Sequence, residues 1–212
     1  MKKKLFLLPV GVAAVAVVGF ASPVNAALTA TSVLSQSITS GTISTDIRDA
    51  SNAILSNPTI MMNATTVSTS QQTATGTFGT ASQRISVDNP GGANNGFSLS
   101  LNATDPTNGK WTSGTDNYDF NDTVALGRLT VNPSGSNWTA LTGSTTAISK
   151  GTSTSFTGGA AAATPITLAT SSASLEDIWN GYMTGTTLTQ TIPANQVAGT
   201  YTLSMTQTVA AL

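Results

Sequence analysis

Apolar and polar residues alternate along much of the chain, most clearly over residues 187–209. Successive side chains of a β-strand point to opposite faces of the sheet. The alternation therefore places four apolar side chains on one face, those of Tyr201, Leu203, Met205 and Val209. Leu188 and Ile192 alternate with threonines in the same way, before a segment that contains Pro193 and Asn195. The pattern predicts an antiparallel hairpin with one apolar face and one hydroxyl-rich face.

A second hairpin is predicted over residues 84–101. Residues 84–88 alternate in polarity and lead into residues 89–95, which are rich in Asn, Pro and Gly. The chain then continues as a strand in which Phe97, Leu99 and Leu101 share one face. Gly, Pro and Asn between two alternating runs are typical of a reversal of chain direction.

Shorter alternating runs recur along the rest of the chain and are separated by Gly, Ser and Asn. Further strands are predicted within residues 28–47, 59–67, 124–131, 138–141, 147–149, 153–156 and 165–168. Residues 46–55 fit either a short helix or an irregular crossover, and residues 174–179 resemble an N-capped helical turn. Many short strands with turn residues between them predict an all-β protein, a single-domain antiparallel β-sandwich.

The N-terminal residues have the pattern of a leader and not of a sheet. Three lysines at positions 2–4 precede the uncharged apolar run 5–20, and Val24-Asn25-Ala26 fits a small-residue cleavage site. This arrangement predicts a secretory signal peptide over residues 1–26 and a folded domain over 27–212. The rival interpretation, an uncleaved membrane anchor, has a short apolar span against it. Since no second long apolar run follows, we expect no transmembrane segment in the mature chain.

Composition narrows the functional classes. Without the three leader lysines, five basic residues stand against nine acidic ones, so the mature chain offers no basic field for nucleic acid. The sequence contains no cysteine, hence no disulfide and no thiolate metal site. It also contains no histidine, which is the commonest general base and transition-metal ligand. Low charge and abundant Thr and Ser also occur in disordered stalks, but the alternation favours ordered sheets.

Oxygen ligands are concentrated in residues 105–122. Asp116, Asp119 and Asp122 recur at intervals of three residues, with asparagines among them. Calcium takes six to eight oxygen ligands in flexible geometry. Two interpretations stay open: a weak calcium site, and a solvated turn, which the sequence favours because the spacing does not match the helix–loop–helix calcium motif.

Enzymatic chemistry has little support in the sequence. Acid–base catalysis by two carboxylates requires both in one cleft, whereas Glu176 and Asp177 are adjacent and fit the start of a helical turn. No Gly-x-Ser-x-Gly elbow is present, and no histidine could activate a serine. We therefore expect a protein that is not an enzyme and that has no catalytic residues.

Aromatic residues are the remaining candidates for ligand contact. Aromatic faces suit the apolar faces of sugars, so a stacking platform is one interpretation and ordinary core packing is the other. The aromatic residues concerned are Trp111, Tyr118, Trp138, Trp179 and Tyr182.

Two stretches resemble the WxL domain, a bacterial cell-surface module. The first runs from Val87 to Ala103 and contains a glycine-rich turn followed by Phe97-Ser98-Leu99 in the position of a Trp-x-Leu motif. The second, residues 192–209, is similar to the closing hairpin of the family. Phe97 stands where the family has its first tryptophan, and the closing motif reads Gln207-Thr208-Val209. The resemblance implies an all-β fold and non-covalent binding to peptidoglycan.

The role of the first motif has two interpretations. If its tryptophan contacts the wall in the family, then Phe97 and Leu99 are candidate surface residues, together with Trp111, Tyr118 and Trp138. If that tryptophan is a core residue, Phe97 can replace it.

Secretion, the absence of enzymatic signals and the resemblance lead to one expectation for function. We expect a secreted, extracellular protein of the bacterial cell surface, associated non-covalently with peptidoglycan, another cell-wall polymer or surface partner proteins. It is expected to need no cofactor other than the weak calcium candidate. The alternative is a self-assembling fibre, pilus or surface-layer subunit that binds copies of itself by strand addition, because threonine-rich strands with few charged edges suit that mode.

Overall fold

The computed structural model describes residues 31–91, 96–172, 176 and 178–212. The predicted signal peptide, residues 1–26, lies outside the described residues. The chain divides into two units, Met1–Ser37 and Ile38–Leu212. Of the first unit, residues 31–37 are described; they are exposed and have no regular secondary structure. Every described strand belongs to the second unit, which is all-β.

Fourteen strands are present in the described part of the chain. They are β1 (Ser44–Arg48), β2 (Gln72–Phe78), β3 (Arg84–Asn89), β4 (Phe97–Ala103), β5 (Trp111–Ser113), β6 (Asp116–Tyr118), β7 (Arg128–Asn132), β8 (Asn137–Thr142), β9 (Ile148–Lys150), β10 (Thr154–Ser155), β11 (Ile166–Ser171), β12 (Trp179–Thr184), β13 (Thr186–Ile192) and β14 (Met205–Ala211).

These strands form three four-stranded antiparallel sheets and one small hairpin. The first sheet has the order β1-β3-β12-β8, the second β10-β7-β13-β2 and the third β14-β4-β11-β9. The hairpin joins β5 to β6. No two strands that are consecutive in sequence pair within any of the three large sheets. The all-β prediction is confirmed, but the pairing is far less local than a chain of hairpins.

The predicted hairpin over residues 84–101 has correct strands and a wrong pairing. β3 pairs with β1 and β12 in the first sheet, whereas β4 pairs with β14 and β11 in the third. The connection between them therefore crosses from one sheet to another. Alternation of side chains specifies which face of a strand is buried and contains no information about the neighbouring strand.

The predicted C-terminal hairpin is wrong in the same way. β13 pairs with β2 and β7, whereas β14 pairs with β4. Tyr201 and Leu203 precede β14, and residue 202 forms an isolated bridge to Thr112. The predicted faces are confirmed: the side chains at 201, 203, 205 and 209 are half-buried, and the serine and threonines between them are exposed.

Three other local predictions are decided by the structure. Residues 46–55 contain no helix and follow the irregular alternative: β1 ends at Arg48, and the carboxylate of Asp49 then accepts backbone hydrogen bonds from Ser51 and Ala53, at 2.8 and 2.9 Å. The prediction of a buried strand over residues 59–67 is wrong, because they contribute only the bridge between Met62 and Gly76 and are largely exposed. Residues 124–126 form an exposed turn, so the strand predicted from residue 124 begins only at Arg128.

Three of the six residues of the predicted helical turn at 174–179, residues 174, 175 and 177, lie outside the described residues. Trp179, the last residue of that prediction, is the first residue of β12.

A single hydrophobic core receives side chains from all three sheets. Phe97 of β4 is completely buried, and its ring centroid lies 6.0 Å from that of Trp138 in β8 and 5.7 Å from that of Trp179 in β12. Phe97 thus joins the third sheet to the first. Leu99 and Leu101, which follow on the same face of β4, are buried as well. The alternation in residues 97–101 predicted this face correctly.

Replacement of Phe97 by alanine is expected to lower the free energy of unfolding by about 3–5 kcal/mol, because it leaves a cavity between two indole rings. Leu126→Ala, in an exposed turn, is the matched control and should change stability by less than about 0.5 kcal/mol. Denaturant unfolding followed by tryptophan fluorescence measures both. Equal effects of the two substitutions would contradict the central position of Phe97 in the core.

Candidate functional site

The hairpin of β5 and β6 brings two of the predicted ligand residues together. Trp111 pairs with Tyr118 across the two strands, and the turn contains Gly114 with φ of 62°. A positive φ at the first turn position suits a two-residue hairpin loop and is available to glycine at little steric cost. The two aromatic rings stack with a centroid distance of 6.1 Å and an interplanar angle of 14°.

A third aromatic residue completes this group. The ring of Tyr201 lies 5.1 Å from that of Tyr118, at an angle of 57°. Thr112 of the hairpin exchanges two backbone hydrogen bonds of 3.0 Å with Thr202, the residue after Tyr201. These bonds fix the hairpin against the segment that leads into β14. We refer to Trp111, Tyr118 and Tyr201 as the aromatic triad.

Gln190 holds the indole of the triad in place. Its side chain is completely buried in β13, and its Oε1 accepts a 2.8 Å hydrogen bond from Nε1 of Trp111. Its Nε2 donates to the carbonyl of Thr191 at 2.7 Å and to that of Asp119 at 3.3 Å. Gln190 was not among the ligand residues predicted from the sequence. A signal was present, since Gln190 interrupts an apolar face at the position between Leu188 and Ile192.

A shallow groove of about 380 Å³ adjoins Tyr201, the third residue of the triad. Gln196, in its wall, donates from Nε2 to the hydroxyl of Tyr201 at 2.8 Å, and that hydroxyl donates to the carbonyl of Val197 at 2.9 Å. Asn195 N donates to the carbonyl of Ser68 at 2.8 Å, which joins the two walls. The lining residues are Val67, Ser68, Thr69, Asn195, Gln196 and Val197.

The groove is uncharged and mixed in character. Val67 and Val197 expose apolar surface, and the other four lining side chains are amides and hydroxyls. Apolar groups together with neutral hydrogen-bonding groups suit a polyhydroxylated ligand better than an ion. We refer to the triad and this groove together as the aromatic groove.

The three aspartates predicted as calcium ligands have different partners and locations. Oδ1 of Asp119 forms an ion pair of 3.0 Å with Nζ of Lys110. Oδ1 of Asp122 accepts a 2.6 Å hydrogen bond from the amide of Thr123, and Asp116 lies in β6 at the end of the hairpin. Among the described residues, no three acidic, histidine or cysteine side chains come together as a metal site. Asp116 lies in β6, whereas Asp119 and Asp122 follow this strand in the chain. The spacing of three residues therefore does not bring the three carboxylates together.

The remaining predicted ligand residues, with the exception of Tyr182, lie in the core or pack against it. Phe97 and Leu99 have no exposed surface, so neither is available to a ligand at the surface. Trp138 and Trp179 pack against Phe97, and their rings lie 5.9 Å apart. Tyr182 lies elsewhere, on the outer face of the first sheet, under the guanidinium of Arg84 at 4.3 Å. The five predicted platform residues thus divide into three locations.

A second groove of about 460 Å³ runs along the edge of β2. Its lining includes Ile60, Met61, Thr75 and Gln83. Neither groove is lined by an aromatic residue, but the first is hydrogen-bonded to Tyr201 through Gln196, whereas the carbonyl of Thr59 in the second is bonded to Nε2 of Gln83 at 3.0 Å. It is therefore a weaker candidate for sugar stacking than the aromatic groove.

The part of the chain that the structure describes contains no helix, and so none that could span a bilayer. Comparison of the chain with protein-family models, with curated proteins and with solved structures finds no match.

Burial, with a smaller effect of Tyr201, raises the pKa of Tyr118 to about 12, from an ordinary value of about 10. The neutral phenol is thus favoured in the folded state. We expect its contribution to stability to be complete below about pH 10 and to be lost as pH rises toward 12. Tyr118→Phe should remove this loss, and tyrosinate absorbance and the unfolding midpoint followed over that range measure it. A Tyr118 that ionises with an ordinary pKa would contradict its burial.

Proposed function

We propose that the protein is an exported, non-enzymatic module of the bacterial cell surface that binds wall glycan non-covalently through the aromatic groove. The observation that carries the proposal is the stacked pair of Trp111 and Tyr118, which packs against Tyr201, and the hydroxyl of Tyr201 is hydrogen-bonded to a groove with uncharged walls. The leader-like residues 1–26 support export, and the resemblance to WxL domains supports a role at the wall.

The chemistry of the groove matches that of a sugar chain. A pyranose ring has an apolar face that packs on an aromatic ring, and hydroxyls at its rim that need hydrogen-bond partners. Trp111 is half-buried, so the residue keeps some exposed surface. Asn195, Gln196 and Ser68 supply neutral donors and acceptors in the groove that adjoins Tyr201. A neutral glycan loses little hydration energy in such a groove, whereas a charged polymer would meet no counter-charge there.

In this proposal, residues outside the Trp-x-Leu position make the contact with the wall. Phe97 and Leu99 occupy that position and are core residues, so they support the fold and do not touch the glycan. Replacement of a tryptophan by phenylalanine there is compatible with wall binding, since the contact is made by other side chains.

Purified sacculi test the proposal directly. Mature protein, residues 27–212, should sediment with sacculi in the presence and absence of a calcium chelator. Trp111→Ala should weaken binding by at least about tenfold, equivalent to about 1.4 kcal/mol. Tyr201→Phe should weaken it less, because it removes only the hydroxyl that orients Gln196.

Tyr182→Phe is the matched control for Tyr201→Phe, because it also removes one tyrosine hydroxyl, but at a position outside the aromatic groove. It should bind as the wild type does. Circular dichroism and unfolding midpoints check that each variant is folded. Failure of wild-type protein to bind sacculi would overturn the proposed function, and unchanged binding by Trp111→Ala would show that the aromatic groove is not the contact.

A further inference from the structure

Residues 31–40 form an apolar arm that precedes β1. All ten residues are exposed and have no regular secondary structure. Val33, Leu34 and Ile38 expose 96%, 93% and 90% of their surfaces. The arm contains no charged residue. Large aliphatic side chains so exposed are unfavourable in water, and their burial would be a substantial driving force for association.

In an extended conformation, Leu34 and Ile38 lie on the same face of the arm because they are four residues apart. Serines and one glutamine separate the apolar residues. This is the composition of a strand that can be added to a sheet edge, where the backbone forms hydrogen bonds and alternate side chains are buried.

Three of the six edges of the large sheets are protected against such addition. β1 carries Asp46 and Arg48, and β9 ends at Lys150. β10 has two residues. Charged residues and short length are the usual protection of an edge strand.

Two other edges are occupied by contacts within the chain. β2 is bridged by Met62 at Gly76, and Asn63 N donates to the carbonyl of Thr75 at 2.6 Å. β14 is joined to β1 by a 2.9 Å hydrogen bond from Nε2 of Gln207 to Oγ1 of Thr45. Neither edge is fully open to an added strand.

The remaining edge is β8, the outer strand of the first sheet. Its six residues carry no charge and no proline, and within the described chain only β12 pairs with it. Leu141 exposes 49% of its surface on this strand. Nε1 of Trp138 is buried without a hydrogen-bond partner among the described residues. β8 therefore has the open backbone and the apolar character that an added strand requires.

We propose that the arm of one copy adds as a fifth strand to the free edge of β8 in a second copy. The arm leads directly into β1, which is the opposite edge of the same sheet as β8. Each added copy consequently presents its own β8 to the next one. The contact is head-to-tail, so repetition builds an open chain of molecules or a ring, and not a closed two-fold dimer. The inference does not depend on glycan binding.

Cysteine cross-linking tests the contact between copies, because the native chain has no cysteine. Ile38→Cys and Leu141→Cys are made as separate variants of residues 27–212, mixed and oxidised. A disulfide between the two variants is expected. Ile38→Cys mixed with Leu126→Cys is the control, since Leu126 is equally exposed but lies in a turn away from β8.

Sedimentation of the same protein over a range of concentrations measures assembly. Deletion of residues 27–40 should abolish concentration-dependent oligomers while leaving sacculus binding intact, which separates this inference from the proposed function. Thr139→Lys places a charge on the exposed face of β8 and should weaken association at least about tenfold. Thr187→Lys, on the central strand β13, is its control.

The inference is overturned if the wild-type protein stays monomeric at all concentrations. It is also overturned if oligomers persist without the arm, or if the Leu126 control cross-links as well as Leu141. An arm that pairs with β8 of its own chain would keep the protein monomeric and prevent cross-linking in the mixture, and so would contradict it too.

Discussion

The contact of Phe97 with Trp138 and Trp179 is the constraint on which the rest of the structure depends. It joins β4 of the third sheet to β8 and β12 of the first, with ring centroids 5.7–6.0 Å apart. The chain has no cysteine, so no disulfide can hold the sheets together. Apolar burial between sheets must therefore supply the stabilisation, and large aromatic side chains contribute most of it per residue.

The C-terminal part of the chain completes this core. β12, β13 and β14 follow one another in sequence, and each enters a different sheet. β12 and β13 are central strands with a partner on both sides. None of the three large sheets is complete until these last strands are in place. Because their partners are distant in sequence, loop-closure entropy opposes each pairing until the core contacts form, which is typical of slow-folding β-proteins.

The sequence predicted the faces of the strands better than their partners. The alternation around Phe97 and Val209 identified the side of each strand that is buried, because burial acts on side chains with period two. It could not identify partners, since the same apolar face fits any sheet that borders the core. Met61 and Val67 belong to an apolar run that was predicted to be buried. This run meets β2 only at the bridge between Met62 and Gly76, and both side chains stay exposed.

The candidate site was predicted in part. Trp111 and Tyr118 were candidates from composition alone, and the turn residue Gly114 between them is the local signal for the hairpin that stacks them. Tyr201 was assigned to the apolar face of a hairpin and in fact joins the triad. Asn195 was interpreted only as a turn residue, and Gln196 was not singled out. Their role depends on the contact between residues 68 and 195, which are too far apart in sequence for any local pattern to reveal.

The edge strands of the sheets differ in charge, and therefore in their ability to pair with another molecule. The chain has few charged residues, yet Asp46 and Arg48 lie on β1 and Lys150 on β9. Charges on an edge strand oppose pairing with another molecule. β8 lacks them, and the exposed apolar arm lies just before the protected edge of the same sheet. The charges on β1 oppose pairing between the β1 edges of two copies. β8 therefore remains as the edge that can accept the arm.

The aromatic groove is built on β5, β6 and the segment before β14, none of which belongs to the first sheet. Strand addition at β8 and glycan contact at the groove therefore use separate elements of the fold.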